Sequence, residues 1–263
     1  MLDGLFGNRV EVAISRLKEF ESLTDDKGFY LAFSGGKDSC VIKALADMAG
    51  VKYDAHYSVT TIDPPELIYF MRKHHPDITW HRQEQTFLQK VQTKGMPTRM
   101  GRWCCEYLKE GGGEDRLVVT GVRWGESPRR AKRGMFESCY RSAGKRYLHP
   151  IIDWSTKDVW TYLQSRGLRY CSLYDVGSSG TYKGDGLFKR LGCVLCPMTS
   201  YKETIAQSLR WPKIAEAWRR AAYRYYERGT PGMVQWESAE AYWQWWLLRK
   251  GQPKESAQCV MFD

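Results

Sequence analysis

No stretch of the chain is long, apolar and uncharged enough to cross a bilayer as a helix, and the mean hydropathy of −0.54 excludes a helical membrane protein. There is no internal repeat and no low-complexity tract. The stretch MLDGLFGNRVEVAISRLKEF, with acids in a basic amphipathic pattern, does not read as a secretory signal, and a cytosolic (cytoplasmic) protein is the expectation. Eight cysteines without an export signal do not read as a disulfide framework. Disorder is excluded by composition, with 43% apolar and 27% charged residues. The 263 residues suit one α/β domain with an appended subdomain, or two small domains. A net charge of +10 makes a polyanionic partner such as nucleic acid reasonable without naming it.

Residues 9–23 place Val10, Ala13, Ile14, Leu17 and Phe20 at helical spacing. Phe29–Phe33 is a short apolar strand that runs into Ser34-Gly35-Gly36-Lys37-Asp38-Ser39, and helical spacing resumes over 40–49. Further strands are expected at Lys52–Ser58, Ile78–His81, Arg116–Val122 and Tyr147–Ile152, with helices at Pro64–His74 and Thr86–Lys94 between them. Such alternation predicts a doubly wound, mostly parallel α/β sheet with ligand sites at the C-terminal ends of its strands. Ser155 with Asp158 three residues later marks a helix start, and Gly167 its stop. Residues 176–192 are Gly/Ser-rich and basic, a pattern expected of a mobile loop. From 199 to 250 the composition shifts to helical patterns rich in tryptophan, with no strand signal. The expected division is therefore a nucleotide-binding α/β domain over 1–198 and a helical C-terminal subdomain with its tail over 199–263.

Ser34–Ser39 lies between a strand and a helix. Two glycines let backbone N–H groups approach an anion, the following helix N-terminus favours negative charge, Lys37 adds a cation, and Ser34 and Ser39 add hydroxyls. The spacing is not that of a Walker A loop. A second constellation pairs Cys104-Cys105 with Cys193-x-x-Cys196, 88 residues further on. Four thiolates of this kind suit an iron–sulfur cluster or zinc. An adjacent pair fits awkwardly around one tetrahedral ion and better on two irons of a [4Fe-4S] cube; zinc and no metal stay open. Gly121, Arg123, Arg129, Arg130, Lys132 and Arg133 follow a predicted strand, where guanidinium forks reach phosphate, sulfate or a nucleic-acid backbone. In the C-terminal region Ile214, Ala217, Trp218, Ala221 and Tyr225 share one face, which reads as core. Arg219, Arg220, Arg224 and Arg228 lie on the other face, either as a solvated surface or as a nucleic-acid contact.

The Ser34–Ser39 turn resembles the PP-loop of ATP pyrophosphatases. Further stretches match as well: VTTIDPPE at 59–66, RWCCEYLKE at 102–110, TGVRWGESPRRAKRG at 120–134, HPIIDWSTKDVW at 149–160, YCSLYDVG at 170–177 and LGCVLCP at 191–197. Together they make most of the chain resemble the phosphoadenosine phosphosulfate (PAPS) reductase family, within the adenine nucleotide alpha-hydrolase-like superfold. The resemblance implies a [4Fe-4S] cluster on Cys104, Cys105, Cys193 and Cys196, with Cys139 in reserve. It implies ATP, or PAPS or adenylyl sulfate, at the turn, with Mg²⁺ on the phosphates. It further implies that Thr60, Thr61 and Asp63 read adenine and ribose.

Two departures from the sulfonucleotide reductases bear on the chemistry. Their loop lacks the lysine, whereas Lys37 and Asp38 are intact here, and their C-terminal Glu-Cys-Gly-(Ile/Leu)-His motif is replaced by Gln258-Cys259-Val-Met-Phe-Asp263. An intact PP-loop combined with an iron–sulfur site is similar to ATP-dependent sulfurtransferases. The expectation is an enzyme that forms AMP and pyrophosphate, with Lys37, Asp38 and Cys259 catalytic and a separate sulfur donor. The alternatives are a PAPS or adenylyl-sulfate reductase that uses Cys259 and a thioredoxin-like reductant, and a non-enzymatic, nucleotide-gated iron–sulfur regulator that binds DNA.

Overall fold

The computed structural model describes residues 3–139, 144–180, 184–230 and 232–248, with side chains described from Asn8 onward. The chain divides into two compact units. The first comprises Met1–Val59, Pro65–Arg82 and Gly111–Gly192, and the second Thr60–Pro64, Gln83–Glu110 and Cys193–Asp263. The tryptophan-rich helices expected from 199 onward belong to the second unit, which also takes in two earlier segments.

Six strands form one sheet in the first unit: β1 (Phe29–Ala32), β2 (Tyr53–Ser58), β3 (Thr79–His81), β4 (Leu117–Val119), β5 (Phe136–Ser138) and β6 (Arg146–Leu148), in the order β3-β2-β1-β4-β6-β5. All pairs are parallel except β5–β6. The central strands β1 and β4 are apolar without alternation and almost wholly buried, as strands covered on both faces must be, while edge strand β3 is half polar. Strand order reverses between β1 and β4, the position where doubly wound sheets bind ligands. The sheet therefore agrees with the α/β expectation, with one antiparallel edge strand added.

The same unit holds α1 (Asp3–Glu21), α2 (Lys37–Ala49), α3 (Pro65–His74) and α6 (Thr156–Ser165). Helix α6 starts in the expected box: Ser155 Oγ accepts from Asp158 N–H, and the Asp158 carboxylate accepts from Ser155 N–H. Gly167 adopts φ +60° one residue past its C-cap. In the stretch expected to be mobile, described residues on both sides of 181–183 are anchored. Leu187 N–H donates to Val176 O at 2.7 Å, Phe188 is buried, and Gly186 packs so closely on the Tyr174 carbonyl that a Cβ would lie 2.1 Å from its oxygen.

The second unit is helical: α4 (Phe87–Lys94), α5 (Trp103–Lys109), α7 (Tyr201–Arg210), α8 (Pro212–Glu227) and α9 (Ala239–Leu248). Its tryptophans form a core. Trp218 meets Phe87 at 4.3 Å and Trp246 at 4.7 Å between ring centroids, Phe87 stacks on Trp103, and Trp246 Nε1 donates to Pro97 O at 2.7 Å. On the outer face of α8, Arg219 is engaged by both Glu216 oxygens and Arg228 donates to Gln92 O, while Arg220 and Arg224 are exposed. No described helix is long and apolar enough to cross a membrane.

Candidate functional site

Strand β1 ends in the first unit at the turn 34–36, which leads directly into α2. Gly35 has φ +70°, which favours glycine, and a Cβ there would lie 2.8 Å from Leu67 and Met71 side-chain atoms that would have to shift. Gly36 is the N-cap in extended conformation and offers no side-chain cap, so the first turn of α2 presents backbone N–H groups. Inside the turn, Ser39 Oγ donates to Gly36 O at 2.8 Å and Ser34 Oγ to Ser39 Oγ at 3.3 Å. Above it opens a cleft of about 200 Å³ whose walls include Ser34, Lys37, Thr120, Arg130, Tyr174 and Arg190. Gly36, Asp38, Ser39 and Gly121 line it too, which brings together the turn and the end of β4.

Carboxylates pair with Lys37, Arg123 and Arg130 in and behind the cleft. Lys37, only 3% exposed, places Nζ 3.0 Å from Asp38 Oδ2, and Arg123 Nε donates to Asp38 Oδ1 at 2.8 Å. Arg123 is 2% exposed, also donates to Trp154 O and Thr156 Oγ1, and sits behind the turn rather than on the cleft wall. Arg130 is on the wall, ion-paired with Glu126; Arg129 is exposed and outside it. Gly121 brings the β4 end so near α2 that a Cβ would lie 2.9 Å from Asp38 Cβ and 3.0 Å from its carbonyl carbon. Both Asp38 oxygens are thus held by cations, and a carboxylate in the cleft is a donor suited to Mg²⁺ or its waters. Sequence reasoning missed Arg190 and Tyr174. The former lies just before the LGCVLCP stretch, and the latter inside YCSLYDVG, and neither carried a chemical label.

Thr120 extends β4 by one hydrogen bond, N–H to Leu148 O at 3.0 Å, and turns its hydroxyl toward His149 Nδ1 at 2.7 Å. On the far side His149 Nε2 faces Glu137 Oε1 at 3.4 Å, and Arg133 pairs with the same oxygen. His149 is wholly buried, and burial, with Arg133 and Arg130 nearby, lowers its pKa to about 3. The imidazole is therefore neutral and serves as a fixed support of the cleft wall.

The four predicted cysteine ligands all lie in the second unit, half-buried, and their sulfurs share one electrostatic neighbourhood. A hydrogen bond with Cys105, then burial and the charges of Cys105, Cys193 and Cys196, raise the Cys104 thiol. The same hydrogen bond, with Lys109 and Arg102, holds Cys105 down. Burial pushes Cys193 up to about 12, opposed by Lys109, whose own pKa is raised chiefly by Cys193. Four soft donors with an adjacent ammonium match in chemistry, though not in spacing, a group that binds several thiolates. Among the described residues, no three His, Cys, Asp or Glu side chains are spaced to hold a metal ion. Thr60, Thr61 and Asp63 fall in this unit rather than with the turn. Thr60 is buried and donates to Asp63, and Thr61, at φ +65°, accepts from Phe87 N–H at 3.0 Å. Cys139 belongs to the first unit, and Cys259 lies outside the described residues.

Sheet order, glycine turn and cleft define an α/β protein of the adenine nucleotide alpha-hydrolase-like fold. Residues 28–199 match the family model for the phosphoadenosine phosphosulfate reductase domain, and the chain belongs to that family. It is 29% identical over 245 residues to an uncharacterised protein of Methanocaldococcus jannaschii, covering 88% of this chain and 48% of that relative. It is also 24% identical over 155 residues to an adenosine 5'-phosphosulfate reductase of Anoxybacillus flavithermus, covering 56% of this chain and 61% of the reductase. The chain spans about half the length of the first curated relatives it matches, 48% and 56%. A crystal structure of Candida glabrata FMN adenylyltransferase with FAD and inorganic pyrophosphate aligns with a TM-score of 0.50 at 15% identity, over 71% of this chain and 63% of that one, a likeness of fold.

Proposed function

We propose that the chain is an ATP-dependent, AMP- and pyrophosphate-forming enzyme that activates an acceptor by adenylation for sulfur transfer. The observation that carries this reading is the intact turn: Lys37 lines the cleft beside a helix N-terminus that has no side-chain cap at Gly36. Backbone N–H groups and the Lys37 ammonium hold the β- and γ-phosphates. An acceptor oxygen attacks the α-phosphorus, the bond to the bridging oxygen breaks, and pyrophosphate leaves into a site arranged for its charge. The acceptor–AMP ester then loses AMP to a sulfur nucleophile. That sulfur arrives from a donor of the persulfide class, on Cys259 or on a separate protein, and an added thiol supplies the two electrons that cleave its S–S bond. Mg²⁺ would offset phosphate charge when bound, with Asp38 the carboxylate that would hold it or its waters. A [4Fe-4S] cluster on Cys104, Cys105, Cys193 and Cys196 would supply a redox-active, charge-bearing centre. Lys109 would stand beside Cys193 as its counter-charge. The net charge of +10 supports a nucleic acid or another polyanion as acceptor.

The family match also supports a second reading, sulfonucleotide reduction with release of sulfite and a thioredoxin-like reductant, in which ATP is not consumed. Lys37→Ala separates the two. ATP cleavage to AMP and pyrophosphate should fall by about 10²-fold or more in the first case, whereas sulfite release from a sulfonucleotide should survive in part in the second. Protein purified without oxygen, tested by absorbance and by iron and sulfide analysis, checks the cluster. A colourless protein containing zinc would remove that element.

A further inference from the structure

Helix α2 does not offer its first N–H directly to the cleft. Lys37 N–H donates to Tyr174 Oη at 3.0 Å, across 137 residues of sequence. Tyr174 is 2% exposed, yet it is part of the cleft wall. Its ring is fixed by edge contacts to Trp160 at 5.2 Å and Tyr170 at 6.4 Å, and by Gly186 pressed on its carbonyl. The hydroxyl has accepted one hydrogen bond, and its own proton has no acceptor among the described residues. A buried O–H left unspent at the edge of an anion cradle is an expensive arrangement unless a ligand completes it.

We propose that Tyr174 is a ligand-binding residue, a relay through which the first N–H of α2 acts on a bound tetrahedral oxyanion: N–H to Oη, and O–H to a phosphoryl or sulfuryl oxygen. Burial, followed by the Asp38 charge, raises the phenol pKa, so the proton stays in place to be donated. Two donors in series polarise each other, which strengthens the terminal bond. Lys37 Nζ lies 5.7 Å from the centroid of the same ring, and both residues line the cleft. Displacement of Tyr174 by the ligand is opposed by the packing that fixes the ring. This inference rests on the reading of the cleft as a nucleotide phosphate site.

The test compares wild type and Tyr174→Phe by calorimetry with pyrophosphate, ATP, sulfate and adenosine. Loss of one hydrogen bond to a charged group should weaken pyrophosphate and ATP by about tenfold to a hundredfold and leave adenosine unchanged. Sulfate weakened in parallel with unchanged pyrophosphate would assign the sulfuryl source instead of the phosphoryl one. Pyrophosphate, ATP and sulfate all within twofold of wild type would overturn the proposal and leave Tyr174 as a support for the Lys37 backbone. Since the variant removes a buried bond, a second measurement uses the wild-type protein: the Tyr174 Cζ resonance, observed by selective ¹³C labelling, should shift on saturation with pyrophosphate. An unmoved resonance at saturation would also overturn it. Failure of wild type to bind ATP or pyrophosphate removes the nucleotide reading and this inference together, whereas wild-type binding without a Tyr174→Phe effect removes this inference alone.

Discussion

Acidification should destabilise the first unit through His149 by an amount that can be worked out in advance. The imidazole is wholly buried, and its folded pKa is lowered from 6.5 to about 3 by burial and by Arg133 and Arg130. In the native state it stays neutral until the pH nears that value, while in the unfolded chain it takes up a proton below about 6.5. The unfolded state therefore binds more protons throughout this window, and stability falls as pH drops from 6.5 towards 3. At pH 4.5, two units below the unfolded value, the loss is about 2.7 kcal/mol, at about 1.36 kcal/mol per unit. For a chain of this size that corresponds to a fall in Tm of about 5–10 °C from this group alone. The assay is thermal and urea unfolding from pH 7.5 to 4.5 of wild type and His149→Asn, whose amide retains a polar group near Nδ1 but does not titrate. Subtracting the two curves isolates His149 from the carboxylates that Arg116, Lys43 and Arg16 hold low, such as Asp54, Asp77 and Asp153. Parallel curves for the two proteins would refute a buried neutral imidazole behind Thr120.

Gly121→Ala should lower both stability and pyrophosphate affinity, because the added methyl lies against the Asp38 backbone and α2 must shift. A loss of about 1–3 kcal/mol in urea unfolding is expected, and an unchanged midpoint would contradict the close approach. Arg123→Met should leave Asp38 with Lys37 as its sole cationic partner and empty the bonds to Trp154 and Thr156, at about 3 kcal/mol. Thermal melting checks it, and Arg123→Lys should not restore the loss, since one ammonium cannot span those three acceptors.

The elements legible in the sequence were those with one dominant period or a sharp cap. Phe29–Ala32 is an unbroken apolar run before two glycines, and Ser155/Asp158 is a capping box whose bonds form as the residues predict. Helix α1 begins six residues before the expected Arg9, and β4 is only Leu117–Val119 within the expected Arg116–Val122. Two elements escaped. Helix α5 carries Cys104 and Cys105 and has no side-chain N-cap, so its chemistry masked a seven-residue helix. Strand β5 is three residues at the end of a glycine- and arginine-rich stretch, and it pairs antiparallel as an edge where no crossover signal exists. In the site, Ser34, Gly36, Lys37 and Asp38 were legible because their role follows from local backbone. Tyr174 and Arg190 were not, because a side chain that closes a site from a distant segment leaves no local period to read.

The position of Arg123 shows why a basic loop after a strand is not by itself a phosphate clamp. A guanidinium at 2% exposure must have its donors satisfied from within, and Asp38, Trp154 and Thr156 do so. Its effect on a ligand is indirect: it fixes one Asp38 oxygen, and the other oxygen fixes Lys37. Glu126 holds Arg130 in the same manner at the cleft, and Arg190 has no acidic partner among the described residues. On the proposed reading, an incoming polyphosphate would meet Lys37 and Arg130 already oriented by carboxylates and compete with Asp38 and Glu126 for them, while Arg190 has no carboxylate to displace. Such an exchange lowers the electrostatic gain of binding. It also removes the cost of ordering lysine and arginine side chains at that moment. On the proposed reading, ligands that present several oxyanions would gain most, because more than one can replace a carboxylate on a cation already in place, so a diphosphate leaving group would be held better than a monophosphate product.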